Sequence, residues 1–253
     1  MEIRYVRHPS LTESDFTLDV CILFDSSRLL RDEHRWVTKL PAFWGRTRWT
    51  VESASKLNPA LHFDLIIAVD NSHADANATG QLVANLQSRS EPSLLLYRNL
   101  NNLRLEKRVS TIELNGRDPF VIISQTSHQL IAPVFADSLV CTDWNDLAAL
   151  LDRHEAFRLD VLDVPSIDAD DRSVLQAVDR LVAMHSAASQ LKSAFLVLSG
   201  PGKLVRLSWL RHALSRVMSA TCENGVTIIS SPLRAQDCQS VTVGLLSSRS
   251  VKT

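Results

Sequence analysis

FDLIIAVDNSHADANATGQLVANLQSRSEPSLLLY, residues 63–97, decides the fold class. Phe63–Val69 is an unbroken run of strand formers, and Asp70–Asp75 is a polar turn. Ala76–Arg89 then carries Leu82, Val83 and Leu86 on one helical side, and Leu94–Tyr97 is a second apolar strand. A strand that is apolar on both sides belongs inside a parallel sheet covered on both faces. Strand, turn, helix, strand in this order is therefore a βαβ unit. Leu65, Ile67 and Val69 are expected on one face, Ile66 and Ala68 on the other.

The pattern extends in both directions. Upstream, Leu18–Phe24 is another strand, ending at Asp25-Ser26-Ser27, and Arg28–Lys39 has the polarity of a short surface helix. PAFWGRTRW at 41–49 has neither helical nor strand periodicity and predicts a surface loop. Downstream, VSTIEL at 109–114 alternates like an exposed strand, and Asn115-Gly116 is a turn dipeptide, so a hairpin is expected there. Phe120–Ser124 and Leu139–Cys141 repeat the strand signal. Trp144–His154 predicts a helix capped by Asp143, with Asp146 in the first turn.

After Pro165 an acidic cap region leads into a helix with Val174, Val178, Leu181 and Val182 at helical spacing. Ala194–Leu198 is a strand, SGPG at 199–202 a turn and Ser208–Ala220 an amphipathic helix. Val226–Ser230 and Val241–Leu246 are two further strands joined by PLRAQDCQ. The fold class is α/β: a mostly parallel, Rossmann-like sheet flanked by helices, with a C-terminal α/β layer. Residues 1–165 form the first unit and 166–253 a second domain or an extension of the first sheet.

Composition narrows the function classes. The chain has 253 residues, 27 Lys plus Arg against 28 Asp plus Glu, and a net charge of -1. Nucleic-acid binding is disfavoured, because a binder needs a basic face. Arg46, Arg48, Arg98, Arg104, Lys107 and Arg108 would have to share one, and Glu106 interrupts the run. The four cysteines form no C-x-x-C pair, and three of them, in or beside apolar runs, are expected to be reduced core thiols. MEIRYVRHPSLTESD has no apolar signal-like region, and no apolar run is long enough to cross a bilayer. A cytoplasmic protein without membrane insertion is expected.

Motifs for chemistry are few. Only seven glycines occur, and no βα turn carries a phosphate-binding glycine pattern. In DNSHADANATG side chains fill the turn, and Asp70 and Asp75 would repel a diphosphate. SGPGKLVRL at 199–207 has Lys203, but Pro201 lacks an N–H and no Ser or Thr follows the lysine, so a tight turn with a solvated lysine is expected. The eight histidines match no zinc spacing, and Asp168, Asp170 and Asp171 lack the glycine and distal Glu of a calcium loop. No catalytic residue, metal site or cofactor is assigned. If the strand ends converge, Asp25, Asp70, His73, Ser199 and Lys203 would line a cleft there. Phe43, Trp44, Arg46, Arg48 and Trp49 combine the aromatic and arginine side chains that dominate protein-docking surfaces.

The order of segments resembles the tubulin/FtsZ superfamily. Residues 194–246 are similar to that family's second domain. FDLIIAVDNSHADANATGQLVANL at 63–86 occupies the place of its strand, glycine-rich signature loop and helix. LRLEKR at 103–108 and DSLVCTDWNDLAALL at 137–151 are similar to later stretches. The resemblance implies a nucleotide-binding ancestor, and the departures imply its loss. Ser72, His73, Ala74, Asp75, Ala76, Asn77 and Ala78 replace the signature, with only Thr79 and Gly80 retained, and FDSSRLL stands where early glycines would hold the base. The implied function is that of a non-catalytic relative that self-associates or docks on a protein partner in a cytosolic assembly. The alternative is an enzyme or nucleotide-binding protein with its site at the C-terminal strand ends.

Overall fold

The computed structural model describes residues 17–25, 47–70, 76–97, 109–153, 155–165, 169–234 and 238–249. The expected helix at 28–39 lies outside them. Four parallel strands lie side by side in the first half: β2 (Thr47–Ser53), β1 (Leu18–Phe24), β3 (Leu65–Asp70) and β4 (Ser93–Tyr97). β5 (Ser110–Glu113) follows beside β4, again parallel. α1 (Ala76–Gln87) covers one face, where Leu82, Val83 and Leu86 meet Cys21, Leu23, Ile66 and Ala68. On the opposite face Leu65, Ile67 and Val69 join a larger core with Leu18, Val20 and Ile22. This is the predicted βαβ unit with its predicted facing.

α2 (Pro119–Phe135) and α3 (Trp144–Leu151) close that larger core. Asp118 caps α2 through the Phe120 N–H at 2.9 Å, and Asp143 caps α3 through the Asp146 N–H at 2.9 Å. The sheet continues through β6 (Ala156–Pro165), β10 (Ser240–Arg249), β7 (Leu191–Pro201) and β8 (Thr221–Ser230), with the short β9 (Leu233–Arg234) also on β7. β10 is antiparallel to β6 and β7, and the other pairs are parallel. α2 reaches under this half too, because Phe195, Val197, Leu159 and Leu246 share its core. α4 (Asp171–Ser186) and α5 (Leu207–Ala220) cover the opposite face over Leu196, Leu198, Val243 and Leu245.

The two halves are staggered. β6 pairs with β5 only at Thr111↔Ala156 and Ile112↔Phe157, so its remaining eight residues run past the ends of the first-half strands. Those residues, from Arg158 onward, pair with β10 instead.

Several sequence expectations are corrected. FVIIS is the start of α2, whose buried side chains occur on most of its circumference and hide the helical period. Leu139–Cys141 is no strand; beside it forms the isolated bridge Ser138↔Pro232, and the Val140 carbonyl accepts from the Ser231 N–H at 3.1 Å and the Ser230 hydroxyl at 3.0 Å. Residues 47–49 belong to β2 rather than to a loop, with Trp49 and Val51 packed against the core. VSTIEL is not an exposed hairpin strand. Ser110, Thr111 and Ile112 are buried in β5, and Ser110 Oγ donates to the Leu151 carbonyl at 2.6 Å, which explains how a hydroxyl residue is accommodated there. Asn115 (φ 50) and Gly116 (φ 76) do make a turn, but it leads into α2. β7 extends to Pro201, so the tight turn begins at Gly202, and β7 separates β8 from β10. All four cysteines are free, but only Cys21 is buried, and Cys141 is exposed.

Candidate functional site

The C-terminal ends of β1 and β3 bring two carboxylates together. Phe24 stands opposite Val69, and the Asp25 N–H donates to the Val69 carbonyl at 3.3 Å, which sets Asp25 beside Asp70. Asp25 is 8% and Asp70 3% exposed. The Thr79 hydroxyl, in the first turns of α1, donates to Asp70 Oδ1 at 2.9 Å. Parallel α/β sheets bind ligands above such strand ends. His73 lies outside the described residues.

Ser199 and Lys203 are not brought there. Ser199 stands on β7 opposite Thr242, at the level of Asp163 near the end of β6, beyond the stagger and several strands away. It lines a cavity of about 500 Å3 between α2 and the sheet, with His128, Gln129, Thr242 and Gly244. Thr242 Oγ1 donates to Asp163 Oδ1 at 2.6 Å and accepts from Arg234 Nη1 at 3.0 Å. Burial, with Arg234 nearby, pushes the His128 imidazole down to about 4. Gln129 Nε2 donates to the carbonyls of Phe195 and Gly244 at 3.1 and 3.2 Å. Gly244 makes room for it, since a Cβ there would stand 2.1 Å from Gln129 Oε1. Lys203 is exposed in the turn after β7, as expected.

Of the docking candidates, Arg48 and Trp49 are described and Phe43, Trp44 and Arg46 lie outside the described residues. Arg48 forms a bidentate pair with Asp19, its register partner on β1, and its side chain is 71% exposed. Trp49 is half-buried against the main core, and its Nε1–H is shielded without a hydrogen-bond partner among the described residues.

Sequence reasoning missed a charged cleft of about 950 Å3 where the halves meet. Tyr97 and Glu113, at the ends of β4 and β5, face Arg117, Glu155, Asp160 and Lys192 across it. Burial alone would raise the Glu155 carboxyl, but hydrogen bonds from Ser248, Arg153 and Lys192 outweigh it and hold the group below its ordinary range. Asp160 is likewise held low against burial by His185 and Arg158. His185 Nε2 lies 3.0 Å from Asp160 Oδ2 and its Nδ1 2.6 Å from Ser247 Oγ. With Nε2–H donating to the carboxylate, Nδ1 accepts the serine proton. His185 is fully buried and Ser247 2% exposed, so this hydroxyl–imidazole–carboxylate chain ties α4 to β6 and β10 and leaves no access for a substrate carbonyl. These residues come from positions 97 to 249, and no local motif announces them.

No protein-family model matches the chain, and no curated protein matches it by sequence. Solved structures do. Superposed on FtsZ from M. jannaschii (the W319Y mutant), the chain gives a TM-score of 0.59 over 93% of its length and 92% of that chain, at 10% identity. The fold is that of the tubulin/FtsZ proteins. CetZ from Methanosaeta thermophila agrees with a TM-score of 0.62, 10% identity and coverage of 93% and 88%. TubZ from Bacillus thuringiensis serovar israelensis, in a GTPγS-form protofilament, gives 0.53 at 12% identity, over 74% of this chain and 61% of that one. In this tubulin/FtsZ-like chain the carboxylates Asp25 and Asp70 occupy strand ends of the first half, and the charged cleft lies at the junction of the two halves.

Proposed function

We propose that the chain is an assembly protein of the tubulin/FtsZ fold, working by self-association or protein contacts and not by nucleotide turnover. The supporting observation is the pair of buried carboxylates, Asp25 and Asp70, at adjacent strand ends. A polyphosphate at that position needs converging N–H groups or cations, and two buried acids oppose it. Thr79, retained from the implied signature, spends its hydroxyl proton on Asp70. Similar folds crystallised as protofilaments favour assembly as the role that survives.

Calorimetric titration with GTP, GDP and ATP in magnesium tests the proposal, alongside light scattering of the protein alone and with GTP. The expected result is no binding heat up to millimolar ligand and association that is indifferent to nucleotide. A micromolar dissociation constant for any of the three, or turnover lost in Asp70→Ala, overturns it. Binding that survives Asp70→Ala would favour a second reading, a ligand site at the strand ends of β4 and β5, where the cleft presents Arg117, Arg158, Lys192 and Arg249.

A further inference from the structure

The two edges of the sheet are guarded differently. β2 carries the ion-paired Arg48 on its exposed side. β8 pairs with β7 on one side; the buried Ser230 and the residues after it are bonded by the 137–140 segment, and Val226–Ile229 has no strand on the other side among the described residues. Its regular part, Val226–Ser230, contains no charged residue and no proline, and its irregularity lies before Val226. Natural edge strands are normally protected by charge, proline or a bulge along their length, and an unguarded one is a template for another strand.

The helix above this edge is also unfinished. Leu214 and Met218 of α5 are 38% and 58% exposed, two of the four large apolar side chains exposed among the described residues. His212 and Arg216 of α5 bond to Asp179 of α4 at 3.0 and 2.7 Å. Leu214 and Met218 each follow one of those residues by two positions, about 200° around the helix, so they point away from α4. α4 lies over β6 and β10 and α5 over β7 and β8, so that direction leads past β8 over the open edge.

We infer that this edge joins two copies of the chain. β8 of one lies antiparallel to β8 of the other about a two-fold axis, the sheets become continuous, and the α5 helices meet through Leu214 and Met218. The inference rests on the self-association reading above and names its surface. A second copy fits better than a lone extended peptide, because a peptide would satisfy the strand backbone but leave the helix stripe bare. A two-fold contact brings the same strand and the same stripe from both sides. It also sets no like charges opposite each other along Val226–Ser230.

Light scattering after size exclusion, across a hundredfold range of concentration, should show the mass rising from 28.2 kDa to twice that value. The Leu214→Glu/Met218→Glu double variant should dimerise at least tenfold more weakly, and at concentrations where the parent is monomeric its melting profile should match the parent's, since both side chains are already exposed. Hydrogen exchange on the parent should slow at Val226–Ser230 as concentration rises. A parent that stays monomeric at every concentration, or a folded double variant that dimerises like the parent, overturns the inference. If the parent forms larger assemblies untouched by the substitutions and by exchange at β8, the edge pairing fails while the broader self-association reading stands.

Discussion

At the scale of single residues, the buried polar groups set how this protein responds to acid. His128 is pushed down to about 4 by burial and Arg234, and His185 is lowered chiefly by burial despite Asp160. Both therefore take up a proton in the unfolded chain before the folded one. Their effect is absent above the ordinary histidine range and becomes a loss of stability as pH falls below about 6.5. For His128 alone the loss by pH 5 is about 2 kcal/mol. Glu155 and Asp160, held low, add stability at neutral pH that disappears as pH drops further through the carboxylate range. Urea unfolding at pH 7 and pH 5 should show the decline, and His128→Gln should make it shallower. An equal slope in the variant would place the titration elsewhere. Gly244 gives a second residue-scale prediction. Gly244→Ala forces the Gln129 amide off the carbonyls of Phe195 and Gly244, and should cost about 1–3 kcal/mol by denaturant midpoint.

At the scale of elements, Ile67→Asp places a carboxylate in a strand whose six residues are all buried. It should abolish soluble expression or unfold the protein, and a soluble variant with the parent's melting curve would contradict the packing of β3. The same burial explains what the sequence made legible. β1, β3 and β4 are covered on both faces, so they appear as continuous apolar runs, and α3, α4 and α5 show caps or clear helical stripes. β6 was invisible because Phe157, Leu159 and Val161 alternate with Arg158 and Asp160, whose charges pair with each other along the strand and with His185 of α4. β2 was hidden by the Pro41 and Gly45 punctuation before it. α2 hides its period because, packed on one face of the sheet beneath both halves, it keeps few exposed polar positions. For the site, Asp25 and Asp70 were legible because a strand end followed by Asp is a local signal. The charged cleft was not, since Glu113, Asp160, Lys192 and Arg249 meet only through the stagger of the sheet.

For the whole molecule, α2 is the member that both halves share. Its residues Ile122, Ile123, Leu130 and Ile131 sit in one core with Ile67 and Leu94 from the first half and Phe195 and Leu246 from the second. Thermal unfolding should therefore be a single cooperative transition by calorimetry, with its van't Hoff and calorimetric enthalpies equal. Two resolved transitions would show that the β5–β6 seam, with its two register pairs, separates independently folding units. Among the described residues no helix is long and apolar enough to cross a membrane.

The position of β10 has a consequence for biosynthesis. It is the last of the described strands to leave the ribosome, yet it belongs in the interior of the sheet, between β6 and β7. Until residues 240–249 emerge, β6 and β7 each present an unpaired edge, and the apolar side chains Val241, Val243 and Leu245 are missing from beneath α4 and α5. The small core beneath α1 can close during translation, whereas the core around α2 still waits for Leu246 and the second half for the whole of β10. A nascent chain stalled or truncated before Ser240 would carry two open strand edges at once, and it would be a client for chaperones or a seed for aggregation.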